Sequence, residues 1–176
     1  MSRQQQTGKL IFETQRLRLK EFTFDDAAFI IELLNSPDWL KFIGKREMKT
    51  TEQAQDYLSN GPLKSYSENG FGLSLVERKE DNAKIGMCGI IKRNHLDNPD
   101  IGFAFLPEFM GQGYAFEIAN ETMAYTKIQL NISSISAITV AENSKSIQLL
   151  EKIGLRFIKT IVSPNNEELL LYSNYD

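Results

Sequence analysis

The stretch from Phe71 to Val140 restricts the possible folds more than any other part of the chain. Before it, apolar residues recur at helical spacing; from Phe71 the period drops to two. Phe71, Leu73 and Leu75 face one way, Glu80-Asp81-Asn82 turns the chain, and Ile85 to Ile91 returns as the second strand of a hairpin. Gly86 and Gly89 mark a bend or a close backbone approach. Asn98-Pro99 turns again, Asp100 to Leu106 forms a third strand, and Pro107 ends it. A glycine-bearing turn, a helix to about Leu130 and a β-branched strand from Ile135 to Val140 follow. The three meander strands must be antiparallel neighbours, whereas the strand–helix–strand crossover makes the next pair parallel. The predicted class is therefore α/β (α+β): a mixed, mostly antiparallel sheet flanked by helices.

The rest of the chain fits that frame. Leu17-Arg18-Leu19-Lys20 alternates as a half-buried strand. Thr23 with Asp26 resembles a capping box and opens a helix through Leu34, which Asn35-Ser36-Pro37 stops. Thr50 with Gln53 opens a second helix, interrupted at Asn60-Gly61-Pro62, where Pro62 suits the first position of a further short helix. Ser144 to Ile153 is amphipathic, with Gly154 at its C-terminal cap, and strands at 157–162 and 169–172 close the chain. The predicted order is β-α-α-β-β-β-α-β-α-β-β. Residues 1–8 are expected to be a mobile tail, and 9–176 a single domain.

Composition removes several function classes. Twenty Lys+Arg against twenty-three Asp+Glu give a net charge of -3, which argues against a nucleic-acid partner held by a basic face. A single cysteine, Cys88, and a single histidine, His95, provide neither a disulfide framework nor a Cys- or His-based metal site, so no metal is expected. No apolar run approaches the ~18 residues of a membrane span, and the polar start lacks a signal-peptide core. A cytoplasmic protein with no membrane partner is the expectation, either monomer or homodimer.

The chemically loaded segment is Met110-Gly111-Gln112-Gly113-Tyr114-Ala115. It leaves a strand and opens a helix, where free backbone N–H groups and the helix dipole favour an anion. Phe116 occupies the place of the third glycine of a dinucleotide fingerprint, and the Lys of a P-loop is missing. A plain tight turn is the alternative reading. Between Arg93 and Lys127 there is no Lys or Arg, while Asp97, Asp100, Glu108, Glu117 and Glu121 fall there. Backbone amides are thus expected to carry any phosphate, and the acids suit a cationic amine.

Three motifs in order resemble the GNAT superfamily of acyl-CoA-dependent N-acyltransferases, in particular the branch of the ribosomal-protein N-terminal acetyltransferases (RimJ/RimL-like). Met110 to Ala115 is similar to that superfamily's pyrophosphate loop, Asp100-Ile101-Gly102-Phe103 to its acidic-Ile-Gly-Tyr strand, and Asn143-x-x-Ser146-Ile147 with Glu151-Lys152-Ile153-Gly154-Leu155 to a third segment. The resemblance spans Leu17 to Tyr172. Met110 departs from the usual residue, and Leu150 stands where many members carry a tyrosine general acid.

The resemblance implies a GNAT-like fold and acetyl-CoA as co-substrate, its acetyl group moving to a peptide or protein N-terminal amine or a small-molecule amine by direct attack. Phe103, Ala104 and Phe105 would line the pantetheine together with Asn143, and residues 110–115 would hold the diphosphate. Ser146 replaces the missing tyrosine as general acid, or merely caps and packs its helix. Asp100 is the first candidate for the base, ahead of Glu108 and His95. His95 is a surface residue or lines the acceptor site, and Trp39 is a core anchor or an acceptor wall. Arg46 is placed to meet an acceptor carboxylate or water, and Lys145 a CoA phosphate or solvent. A catalytically silent acyl-CoA-binding module, and a nucleotide- or phosphosugar-binding protein, are the competing functions.

Overall fold

Strands that bury both faces need cover on both sides, and the computed structural model, which describes residues 6–44 and 47–175, provides it. Eight strands form one sheet: β1 (Leu10–Glu13), β2 (Leu17–Lys20), β3 (Leu73–Arg78), β4 (Lys84–Ile91), β5 (Asp100–Phe105), β6 (Ser136–Thr139), β7 (Arg156–Val162) and β8 (Glu168–Ser173). Their order is β1-β2-β3-β4-β5-β6-β8-β7, and every neighbouring pair is antiparallel except β5 and β6. The mixed, mostly antiparallel sheet expected from the meander and the crossover is the sheet observed.

Period-two alternation sends successive residues to opposite layers. Leu75 and Met87 pack with α1 (Ala27–Leu34) and α3 (Thr51–Leu58), while Val76 and Cys88 pack with Ile118 and Ala119 of α5 (Tyr114–Gln129). Each fully buried Leu, Ile or Val there stabilises the fold by about 1.5–3 kcal/mol. The hairpin glycines are required by close approach: a Cβ on Gly89 would lie 2.2 Å from the Gly72 carbonyl oxygen, and one on Gly86 2.5 Å from that of Ala104. Both capping boxes form, Thr23 with Asp26 and Thr50 with Gln53.

Three local features differ from the sequence expectation. The chain makes an extra strand, β1, antiparallel to β2. Pro37 ends α1 but also occupies the first turn of α2 (Pro37–Phe42), where its missing N–H would have no partner in any case. Asn60-Gly61-Pro62 does not break the helix. A π-helical turn at 59–63 carries the backbone from α3 into α4 (Lys64–Asn69), and the wider turn relieves the clash of Pro62 with the carbonyl four residues back.

Of the expected tail, residues 1–5 lie outside the described residues, and Gln6 donates its backbone N–H to Asp25 at 2.6 Å. Among the described residues no helix is long and apolar enough to cross a membrane.

The feature that positions the site is the seam between β5 and β6. These strands share a single register pair, Asp100 with Ser136, supported by the Ser136 N–H on the Pro99 carbonyl at 2.9 Å. Beyond that rung they part.

Candidate functional site

The opening between β5 and β6 has the glycine turn at its mouth. A 3-10 turn at Pro107–Phe109 leads out of β5, and α5 starts at Tyr114. Gly111 has φ +72° and Gly113 φ +82°, a left-handed backbone that only glycine adopts without strain. The first ladder bond across the start of α5 is the Glu117 N–H on the Gly113 carbonyl at 3.1 Å. Among the described residues, the backbone N–H groups of Gly111 through Phe116 have no protein acceptor. Six unpartnered donors at a helix N-terminus make a cradle for an anion.

The expectation of a turn without cationic company holds only along the sequence. Folding brings Arg16, from the β1–β2 turn, against it: Nη1 donates to the Gln112 carbonyl at 3.0 Å, and the guanidinium lies 4.4 Å from the Tyr114 ring centre. Arg16 Nε donates to Glu117 at 2.6 Å, and Glu117 also accepts from the Thr14 hydroxyl at 2.6 Å and the Arg16 N–H at 2.8 Å. Burial pushes the Glu117 carboxyl up, but these donors outweigh it and hold the group below its ordinary value. No local signal marks Arg16, which lies almost a hundred residues upstream in an unremarkable turn.

A cavity of about 380 Å³ runs inward from the turn. Phe103, Ala104, Phe105, Met110, Gly111, Gly113, Tyr114, Ala115, Asn143 and Ser146 all border it, together with Trp39 and Lys145. Gln112 does not: its side chain turns back to donate to the Glu108 carbonyl at 3.0 Å. Asn143, which borders both cavities, caps α6 (Ser144–Lys152) by accepting the Ser146 N–H at 3.3 Å on Oδ1. Gly154 follows α6 at φ +95°, the left-handed cap expected there.

A second cavity of about 360 Å³ adjoins the first and shares Trp39, Phe42, Ile43, Phe103, Asn143 and Ser146 with it. The two therefore meet between Trp39, Phe42 and Ile43 on one side and Phe103, Asn143 and Ser146 on the other. Asp100, Arg93 and His95 lie along the second cavity, with the β7–β8 loop residues Ser163, Pro164, Asn165 and Glu167 on its far side. Asp100 is 1% exposed, and both its oxygens accept from Arg93 Nε at 3.1 Å. Burial pushes its carboxyl above the ordinary value, while Arg93 and then His95 pull the other way. His95 itself is exposed, and Glu108 borders neither cavity. Arg46 lies outside the described residues.

Leu150 is buried and borders the second cavity with an aliphatic side chain. Tyr114 is the only tyrosine among the described residues bordering either cavity, and its buried ring sits beneath Arg16. Sequence reasoning missed the β7–β8 loop, Arg93 and Ser36, because contacts across strands leave no periodic trace in one segment.

A family model described as an acetyltransferase (GNAT) domain matches residues 16–156. The chain is similar to uncharacterized protein YkkB of Bacillus subtilis (strain 168), 30% identical over 154 residues that cover 84% of this chain and 86% of the relative. It is similar also to uncharacterized N-acetyltransferase YnaD of the same organism, 29% identical over 157 residues, covering 88% and 89%. Among solved structures, a ribosomal-protein-S5-alanine acetyltransferase from Vibrio fischeri shares the fold with a TM-score of 0.76 at 20% identity, covering 92% of this chain and 94% of that one.

Proposed function

The chain belongs to the GNAT acetyltransferase family, whose members take acetyl-CoA as co-substrate; on that footing we propose that residues 9–176 form one catalytic unit that acetylates a primary amine, foremost the α-amine of a peptide or protein N-terminus, as in the RimJ/RimL-like branch. The observation that carries the reading is the pair of cavities meeting at Phe103, Asn143 and Ser146, one beginning at the anion cradle and the other beside a buried carboxylate. A thioester donor and an amine acceptor can thus reach one point from opposite sides.

In this reading the diphosphate lies on the amides of the 111–115 turn and the pantetheine passes along Phe103 to Phe105, with Asn143 holding one of its amides. The neutral amine attacks the thioester carbonyl carbon, a C–N bond forms and the C–S bond breaks. The amine's proton goes to the Asp100 carboxylate, made more basic by burial, and the departing thiolate takes a proton through the Ser146 hydroxyl, which regains one from water as Asp100 gives its own up to solvent. A backbone N–H of β5 polarises the carbonyl. At pH 7 a lysine-like amine of pKa ~10.4 costs about 4.6 kcal/mol to deprotonate, an α-amine near ~7.8 only about 1 kcal/mol. With the Asp100 carboxylate tied to Arg93, the smaller cost of the α-amine suits the site.

The test is release of free CoA thiol from acetyl-CoA with a panel of N-terminal peptides, polyamines and amino sugars. Turnover is expected with peptides bearing a free α-amine and is expected to vanish when that amine is blocked. Tight acetyl-CoA binding with no release across the panel would establish the silent binding module instead. Faster release with polyamines than with any peptide would move the acceptor to small amines.

A further inference from the structure

We infer that Arg16 is a positioning residue that aims the Gly113 N–H into the anion cradle, and that Glu117 holds Arg16 in place to do so. The inference rests on the proposed seat of the CoA diphosphate and assigns a device behind it.

The stereochemistry is direct. In a trans peptide the C=O and the following N–H point in opposite directions. Arg16 Nη1 fixes the Gln112 carbonyl from behind the turn at 3.0 Å, which leaves the Gly113 N–H directed away from Arg16. Gly113 borders the first cavity, whereas neither Gln112 nor Arg16 does, so the arginine stands on the outer side of the turn and the amide on the inner side. Arg16 also packs against this face of the turn, its Nη2 lying 3.4 Å from where a Cβ on Gly113 would stand, an ordinary contact distance.

The guanidinium is held at three points: Glu117 at 2.6 Å, the Gln112 carbonyl, and the face of Tyr114. Glu117 is fastened in turn to the β1–β2 turn through Thr14 and the Arg16 N–H. A carboxylate in the first turn beside an anion site is electrostatically unfavourable for the anion. Its presence is explained if it serves the arginine rather than the ligand.

That conflict supplies a test with opposite signs. Binding of CoA and of pantetheine, which lacks the diphosphate, is measured by calorimetry on wild type, Arg16→Ala and Glu117→Gln, with thermal melts to verify folding. If Arg16 shapes the turn, both variants weaken CoA about tenfold, the loss expected for a charge-assisted hydrogen bond, and leave pantetheine unchanged. If simple electrostatics governs, Glu117→Gln removes a negative charge next to the diphosphate and tightens CoA, which overturns the inference. An unchanged CoA affinity in Arg16→Ala overturns it too, as does equal weakening of CoA and pantetheine, which marks a purely structural role. A wild type that binds CoA no better than pantetheine instead removes the diphosphate from this turn, and the device falls with it.

Discussion

Replacing Gly111 with alanine separates backbone strain from ligand contact, provided Gly154→Ala is made alongside. Both glycines are left-handed, at φ +72° and +95°, and a Cβ at either meets nothing within 4 Å. The strain is therefore conformational, with no clash in the way. An L-residue in this region costs about 1–2 kcal/mol, and the stiffer unfolded chain offsets roughly 0.4–1 kcal/mol of it. The net destabilisation is about 1 kcal/mol, and for a chain of 176 residues the melting temperature should fall by roughly 2–4 °C in each variant. The ligand response should differ. Gly111 borders the cavity at its mouth, in the open space a diphosphate would occupy, while Gly154 caps α6 outside it. Differential scanning fluorimetry with and without CoA reads both effects. Gly111→Ala should lose most of the CoA-induced shift, and Gly154→Ala should keep all of it. An unchanged melting temperature in both variants refutes the strain estimate. A full CoA shift in Gly111→Ala refutes the placement of the ligand.

Two further outcomes follow from buried groups. Burial lifts the Cys88 thiol to about 12, with Thr122 3.5 Å away, so a thiol reagent at pH 8 should label none of the native protein and one thiol after denaturation; rapid native labelling would contradict the packing around β4. Asp100 has a folded pKa raised above its unfolded value of 3.8, so the folded state holds more protons than the unfolded one just above that pH. Its contribution to stability should decline as pH rises from 3.8 and level off above the raised value, and chemical denaturation of wild type against Asp100→Asn across that window should show the difference; a contribution that grows with pH would refute the burial argument.

The meander from Leu73 to Phe105 was legible in the sequence because β-strands leave a two-residue period and their turns leave Asp, Asn and Pro. The cradle was legible because two left-handed positions at a helix start require glycine. The role of prolines was harder to read. Pro37 and Pro62 carry the same local signal, an interruption, yet one opens a helix and the other rides inside a widened turn. Which occurs is settled by the packing of neighbouring turns, which no local rule contains. Strand β1, only four residues long, was invisible because Leu10–Glu13 has no clean alternation and gains its pairing from β2. Arg16, Arg93 and the β7–β8 loop escaped for a related reason: they reach the site through tertiary contacts whose sequence separation is arbitrary.

One rung at Asp100 and Ser136 fastens two half-sheets, β1 to β5 and β6 to β7 through β8. Past it, two strand edges look across a gap with their amides and carbonyls free of strand partners, much as the halves of a zip lie open below the slider. An extended ligand carrying peptide-like groups would act as the missing teeth, completing the sheet while it delivers its reactive end. Loading the donor would then knit the halves together, and hydrogen exchange along 102–105 and 137–139 would slow in step.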